Sequence, residues 1–300
     1  MLFLVMAALA VAGLGAWFLS RPLPWVSSPA RPTRTQVLAL WEASDWQAVI
    51  QTCDQALLQA PLDPFSLGMK GVASFYRSLA LPEGEERTAM NDSSIISLRK
   101  ALATQQQPDS KRMPKGELEY ILAKAYFQKG DSYYDLAALS MTRSAADGYD
   151  ADDSHEYLAM SYSRMGQVKP AIDEFGKAMA SSQNPIIRIA AAKEYLKLED
   201  FDRAEGLLIE ASASKEDAVA RESARALLAN LYLTRSRLSL FEVQVGAMLA
   251  ENPDSAEAHY LMGLLFQARG DPVHARAEWR KAVSLDPMHA AARQKLAERS

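Results

Sequence analysis

The stretch "YLAMSYSRMGQVKPAIDEFGKA", residues 157–178, decides the fold. It places small residues at Ala159, Gly166, Ala171 and Ala178, and large apolar ones at Leu158, Tyr162 and Phe175. Apolar positions recur at helical intervals on both sides of Gly166, a turn residue, so the stretch reads as two antiparallel helices of about a dozen residues each. Where two helices cross closely, only a small side chain lets the backbones approach. Ala159 and Ala171 serve that crossing within the pair, and Ala178 serves it against the next pair. Tyr162 and Phe175 fill the space left between them.

The same spacing recurs along the chain. A small residue followed three positions later by an aromatic occurs at Ala123/Tyr126, Ala159/Tyr162, Ala192/Tyr195, Ala229/Tyr232 and Gly263/Phe266. Four residues after each aromatic comes Gly130, Gly166, Glu199, Ser236 or Gly270. Ala171, Ala204 and Ala275 lie nine residues after the aromatic, Ala178, Ala211 and Ala282 follow seven further on, and Pro253 and Pro287, thirty-four apart, end the last two units. One helix pair cannot cover its own apolar face, so stability must come from stacking neighbours.

This pattern resembles the tetratricopeptide repeat (TPR). The fullest match is "AEAHYLMGLLFQARGDPVHARAEWRKAVSLDP", residues 256–287, where Met262, Gly263, Phe266, Gly270, Ala275, Trp279, Ala282 and Pro287 fall on the family's signature positions. His259 takes the place of the usual tryptophan. The resemblance implies an all-α fold, a TPR-type α-solenoid in which antiparallel helix pairs wind into a right-handed superhelix. Five units span 116–289, starting near Gly116, Asp152, Pro185, Glu222 and Ala256, and a capping helix covers 290–300. Two degenerate units occupy 35–115, the second split by the insertion "LPEGEERTAMN", which reads as a rim loop or as part of a longer helix pair; "EGEER" within it reads as a solvated loop. In the unit from Gly116, Asp135 and Thr142 stand where alanines are expected, which implies looser packing or a displaced second helix.

Residues 1–20 contain no charged side chain and as a helix would extend roughly 30 Å, the thickness of a bilayer's hydrocarbon layer. They read as one N-terminal transmembrane helix, with Trp17, Arg21 and Trp25 at the water interface, followed by a Pro-rich linker over 21–34. A cleaved signal peptide is the other reading, although a basic n-region is absent. Arg21, Arg31 and Arg34 all lie on the C-terminal side, which favours a cytoplasmic domain, while anchored domains of this size at a bacterial inner membrane often face the periplasm; both faces stay open.

Chemistry is sparse. A net charge of −4 without a basic stripe argues against nucleic acid as a partner. Cys53 is the only cysteine, excluding an internal disulfide, and reads as a core residue. His155, His259, His274 and His289 are the only histidines; His155 and His259 hold equivalent positions and read as replacements for an aromatic. No phosphate-binding glycine loop or nucleophile elbow is present. The acidic run "DGYDADDSHE", residues 147–156, reads as helix capping rather than as a calcium loop. The expectation is no enzyme, no metal, no cofactor and no small-molecule substrate.

The resemblance implies instead a protein partner in a concave groove lined by the first helix of each unit. Carried over unit by unit, the groove positions are Phe65, Phe75 and Tyr76; then Tyr120, Lys124 and Phe127; then Glu156, Met160 and Arg164. Ile189, Lys193 and Lys197 follow, then Asn230 and Leu233, and last Tyr260, Leu264 and Gln267. This lining suits an amphipathic helix or an extended apolar peptide; the other reading is that many of these side chains pack on neighbouring first helices and are only partly exposed. It lacks the lysine, arginine and asparagine set with which some family members hold a C-terminal carboxylate. The chain thus reads as a membrane-tethered bacterial scaffold for protein–protein interaction. The alternative is a structural subunit of an envelope assembly of the secretion, pilus or flagellar-collar type, contacting partners through its convex face and insertion. An enzyme or metal-binding protein built on the acidic run is the reading from a different class.

Overall fold

A computed structural model describes residues 31–104 and 113–298, and every regular element among them is helical. The helices are α1 (Arg34–Glu42), α2 (Trp46–Gln59), α3 (Pro64–Ala80), α4 (Glu85–Thr104), α5 (Lys115–Lys129), α6 (Tyr134–Ala146), α7 (Ser154–Arg164) and α8 (Val168–Ser181). They continue as α9 (Pro185–Lys197), α10 (Phe201–Ser212), α11 (Ala218–Thr234), α12 (Leu238–Glu251), α13 (Ala256–Ala268), α14 (Pro272–Leu285) and α15 (Ala290–Ala297). The apolar stretch 1–20 lies outside the described residues, and no helix among those described is long and apolar enough to cross a membrane.

Local sequence sets the boundaries. Asp45, Asp63, Asp200, Asp217, Ser255 and Asp271 each accept a hydrogen bond from a backbone N–H in the first turn of the helix they precede. Pro64, Pro185 and Pro272 open their helices, where the missing N–H costs nothing. Within units the chain reverses through a left-handed residue at Gly130, Gly166, Glu199, Ser236 and Gly270, the five positions marked by the sequence spacing, with φ of 95°, 72°, 58°, 58° and 76°.

Consecutive helices pack as seven antiparallel pairs, with α15 laid against α14. The first helix of each unit from α3 to α13 also touches the first helix of the next, whereas successive second helices barely meet. The stack therefore curves with its first helices on the inside. Ala159, Ala171 and Ala178 are at most 1% exposed, and Ala204, Ala211, Ala275 and Ala282 match them. At the last pair the close crossing is explicit: Gly263 faces Trp279, whose indole N–H donates to the Tyr260 carbonyl at 3.2 Å.

Three local features depart from a uniform repeat. The insertion forms a longer helix pair, α3 and α4, joined by a short turn; Glu85 and Glu86 lie in the first turn of α4 rather than in a loop. Gly71 meets Leu98 where these two helices cross. In the next unit a 3₁₀ turn, Asp131–Tyr133, precedes α6 and advances its inward face by two residues. Ala137, Met141 and Ser144 are buried there, while Asp135 and Thr142 point to solvent, so the second helix is shifted in register and keeps a buried face. In α12 the inward positions are large, Phe241, Val245 and Met248, and the small residues move to α11 as Ala220, Ala224 and Ala229.

Candidate protein-binding face

The inner face is built from the exposed sides of α3, α5, α7, α9, α11 and α13. Of the residues expected there, Tyr76, Arg164, Lys193, Lys197, Asn230 and Gln267 are exposed. Phe65, Lys124, Phe127, Glu156, Met160, Leu233, Tyr260 and Leu264 are half-buried. Phe75, Tyr120 and Ile189 are 3%, 8% and 6% exposed, and this corrects their assignment as a contact surface. Curvature brings the first helices together, so these side chains fill the seams between them.

The middle of the face is held by a polar plug. The Tyr120 hydroxyl donates to Asp153 Oδ1 at 2.6 Å, and Lys124 Nζ donates to Asp153 Oδ2 at 2.7 Å and to the Tyr120 hydroxyl oxygen at 2.9 Å. The Lys124 ammonium also sits 4.9 Å and 4.6 Å from the ring centroids of Tyr120 and Tyr157. Burial pushes the Tyr120 hydroxyl above its ordinary pKa, and the Asp153 carboxylate adds to the effect. Burial alone would lower Lys124, but Asp153 and Tyr120 outweigh it and hold the ammonium above the usual lysine range. Phe127 stands edge-on to Tyr157 at 5.2 Å. Tyr120, Lys124 and Phe127 are thus spent joining α5 to α7. Asp153 precedes α7 but makes no capping hydrogen bond, which corrects the capping reading of this member of the acidic run.

Beyond the plug the face changes character. Ser163 and Lys197 both donate to Glu194 Oε1 at 2.6 Å, and Glu194 is buried with its Oε2 lacking any protein partner. Arg164 and Lys193 make no ion pair among the described residues. At the other end, Trp46 stacks on Tyr76 at 5.2 Å and meets Trp41 at 4.8 Å, forming an aromatic cluster. On the outer face a cleft of about 810 Å³ opens between α2 and α4, with Leu57, Leu58, Lys70, Ile96 and Lys100 in its walls.

One set of residues escaped sequence reasoning. At the position where the resemblance places tryptophan stand Glu119, His155, Arg188, Arg225 and His259, and each meets a polar partner, a carboxylate or, for Glu119, an arginine, on the second helix of its own unit. His155 reaches Glu174 at 2.7 Å, Arg188 reaches Glu210 at 3.0 Å, and His259 reaches Glu278 at 2.6 Å. Arg225 pairs with Glu251, and Glu119 lies 4.0 Å from Arg143 with the signs reversed. The two histidines are therefore polar ties rather than stand-ins for an apolar ring. Recurring charge at this position was the available signal. Among the described residues no group of three histidine, cysteine, aspartate or glutamate side chains is arranged to hold a metal ion.

The arrangement is similar to solved helical-repeat structures. The C-terminal part of a TPR repeat-containing protein from Cytophaga hutchinsonii superposes with a TM-score of 0.64 at 14% identity, covering 87% of this chain and 98% of that one. The fold is the tetratricopeptide-repeat solenoid. Pseudomonas aeruginosa pilF matches with a TM-score of 0.50 at 13% identity over 78% of this chain and 95% of its own, and a MamA variant with 0.50 at 15% over 58% and 96%. No protein-family model and no curated protein matches the sequence. At these identities the likeness concerns the fold alone.

Proposed function

We propose that this protein is a scaffold that holds a segment of a partner protein along its inner face and is tethered to a membrane through residues 1–20. The observation that carries the reading is the exposed strip from α7 to α13. Among the described residues Arg164 and Lys193 make no ion pair, and Met160, Tyr260 and Leu264 lie half-buried on first helices of the same strip. Such a strip suits an amphipathic segment with apolar residues on one side and carboxylates on the other, the charges setting register. The tether rests on the uncharged stretch 1–20.

A second reading, contact through the outer face as a subunit of a larger assembly, is supported by Ile96, Leu139 and Val243, which are 54%, 45% and 60% exposed on second helices. Photo-crosslinkers introduced at Met160 and Leu264 on the inner face, and at Leu139 and Val243 on the outer face, discriminate the two in intact membranes. Adducts confined to the inner pair support the groove. Adducts confined to the outer pair overturn it.

A further inference from the structure

The chain enters the solenoid at an apolar corner. Arg31, the first described residue, pairs with Asp63 at 3.4 Å, and Asp63 caps α3 directly after Leu62. Leu62 is 64% exposed and Leu58, at the end of α2, is 83% exposed, with Pro61 between them in the turn. The carboxylates near this corner are neutralised: Asp63 by Arg31, and Asp54 by Lys70 at 2.6 Å. Two bare leucines therefore project from a corner whose nearby acids are already paired.

The length of chain ahead of Arg31 says what covers them. Ten residues, 21–30, separate Arg31 from the uncharged stretch 1–20, and even fully extended they span at most about 36 Å. A tether of that reach joins the domain at this corner, where Arg31 meets Asp63, and limits how far the corner can stand from the bilayer. Bare leucines beside charge-neutral ion pairs match the chemistry of an interface, where apolar side chains enter the boundary between headgroups and acyl chains. We propose that the α2–α3 corner, through Leu58 and Leu62, rests on the lipid surface and fixes how the solenoid stands on the membrane. The proposal builds on the tether reading.

The test uses the full chain in vesicles of phosphatidylcholine and phosphatidylglycerol, carrying one of Leu58→Cys, Leu62→Cys or Val243→Cys labelled with an environment-sensitive fluorophore. Native Cys53 does not compete, because it is fully buried and burial pushes its thiol up to about 12. All three positions are exposed, so the substitutions leave the fold intact. Flotation is read first, then quenching by brominated lipid. The expected result is a floating chain with blue-shifted, strongly quenched emission at 58 and 62 and water-like, unquenched emission at 243. A floating chain whose labels at 58 and 62 are as water-like as at 243 overturns this proposal alone and leaves the corner to a protein partner. A chain that does not float overturns the tether and this proposal together.

Discussion

Adding one methyl group should have opposite signs at different glycines of this solenoid. A Cβ at Gly263 would lie 2.5 Å from Trp279 Cδ1 and 3.0 Å from the Ala275 carbonyl oxygen. Ordinary carbon contacts sit near 3.5–4.0 Å, so the indole must retreat by about 1 Å. It has nowhere to go, being 4% exposed and hydrogen-bonded to Tyr260. Overpacking costs about 1–3 kcal/mol. A strained or broken indole hydrogen bond adds about 1. The helix-propensity gain of alanine returns about 1. Gly263→Ala should therefore destabilise by about 1–3 kcal/mol. Gly176, Gly206 and Gly246 lie inside second helices with open space where a Cβ would go. Each Gly→Ala change there should stabilise by about 0.5–1 kcal/mol. Because stacked repeats open unit by unit, urea titration should be paired with hydrogen exchange resolved to α13 and α14. Smaller Phe in place of Trp279 should recover part of the Gly263→Ala loss, a coupling a double-mutant cycle reads directly. The same sign at all four glycines would refute the crossing geometry.

Other perturbations probe the turns, the plug and the polar ties. Gly166→Ala forces a side chain into the left-handed region at φ 72° and should lower stability by about 1–2 kcal/mol, whereas Ser236→Gly should cost nothing or gain slightly; thermal melts separate them. Asp153→Asn weakens both contacts of the plug and, since that carboxylate is partly exposed, should cost about 1 kcal/mol and raise exchange rates in α5 and α7 together. Burial raises the Glu119 carboxyl above its ordinary value, so its contribution to stability is complete at acid pH and is lost as pH rises through the raised value. Glu119→Gln should therefore raise the melting temperature at pH 7 and change it much less at pH 4; equal shifts at both would contradict the assignment.

The repeat was legible because small and aromatic residues report helix crossings directly. Counting marked the five turn positions but gave a turn signal only at Gly130, Gly166 and Gly270; Glu199 and Ser236 adopt the same left-handed conformation without a glycine to announce it. Counting failed where its assumption of constant turn length failed: the 3₁₀ turn before α6 moved the inward face from Asp135 and Thr142 to Ala137, Met141 and Ser144. The inner face was only partly legible for a different reason. A groove position faces solvent only if neighbouring first helices splay apart, and Phe75, Tyr120 and Ile189 sit where they close up. The polar ties stayed hidden because partners lie nineteen residues on for His155 and His259 but twenty-two on for Arg188. No fixed spacing exposes them; only the folded pair brings the charges together.

The contact pattern described above, in which each unit touches only its sequential neighbours, also sets how the molecule answers load. Small changes at each helix crossing add along the stack, so the pitch can relax or tighten without any pair opening. Held at one end and loaded at the other, such a coil behaves as an elastic arm: strain is shared among many joints, and a change of length is taken up by winding rather than by unfolding.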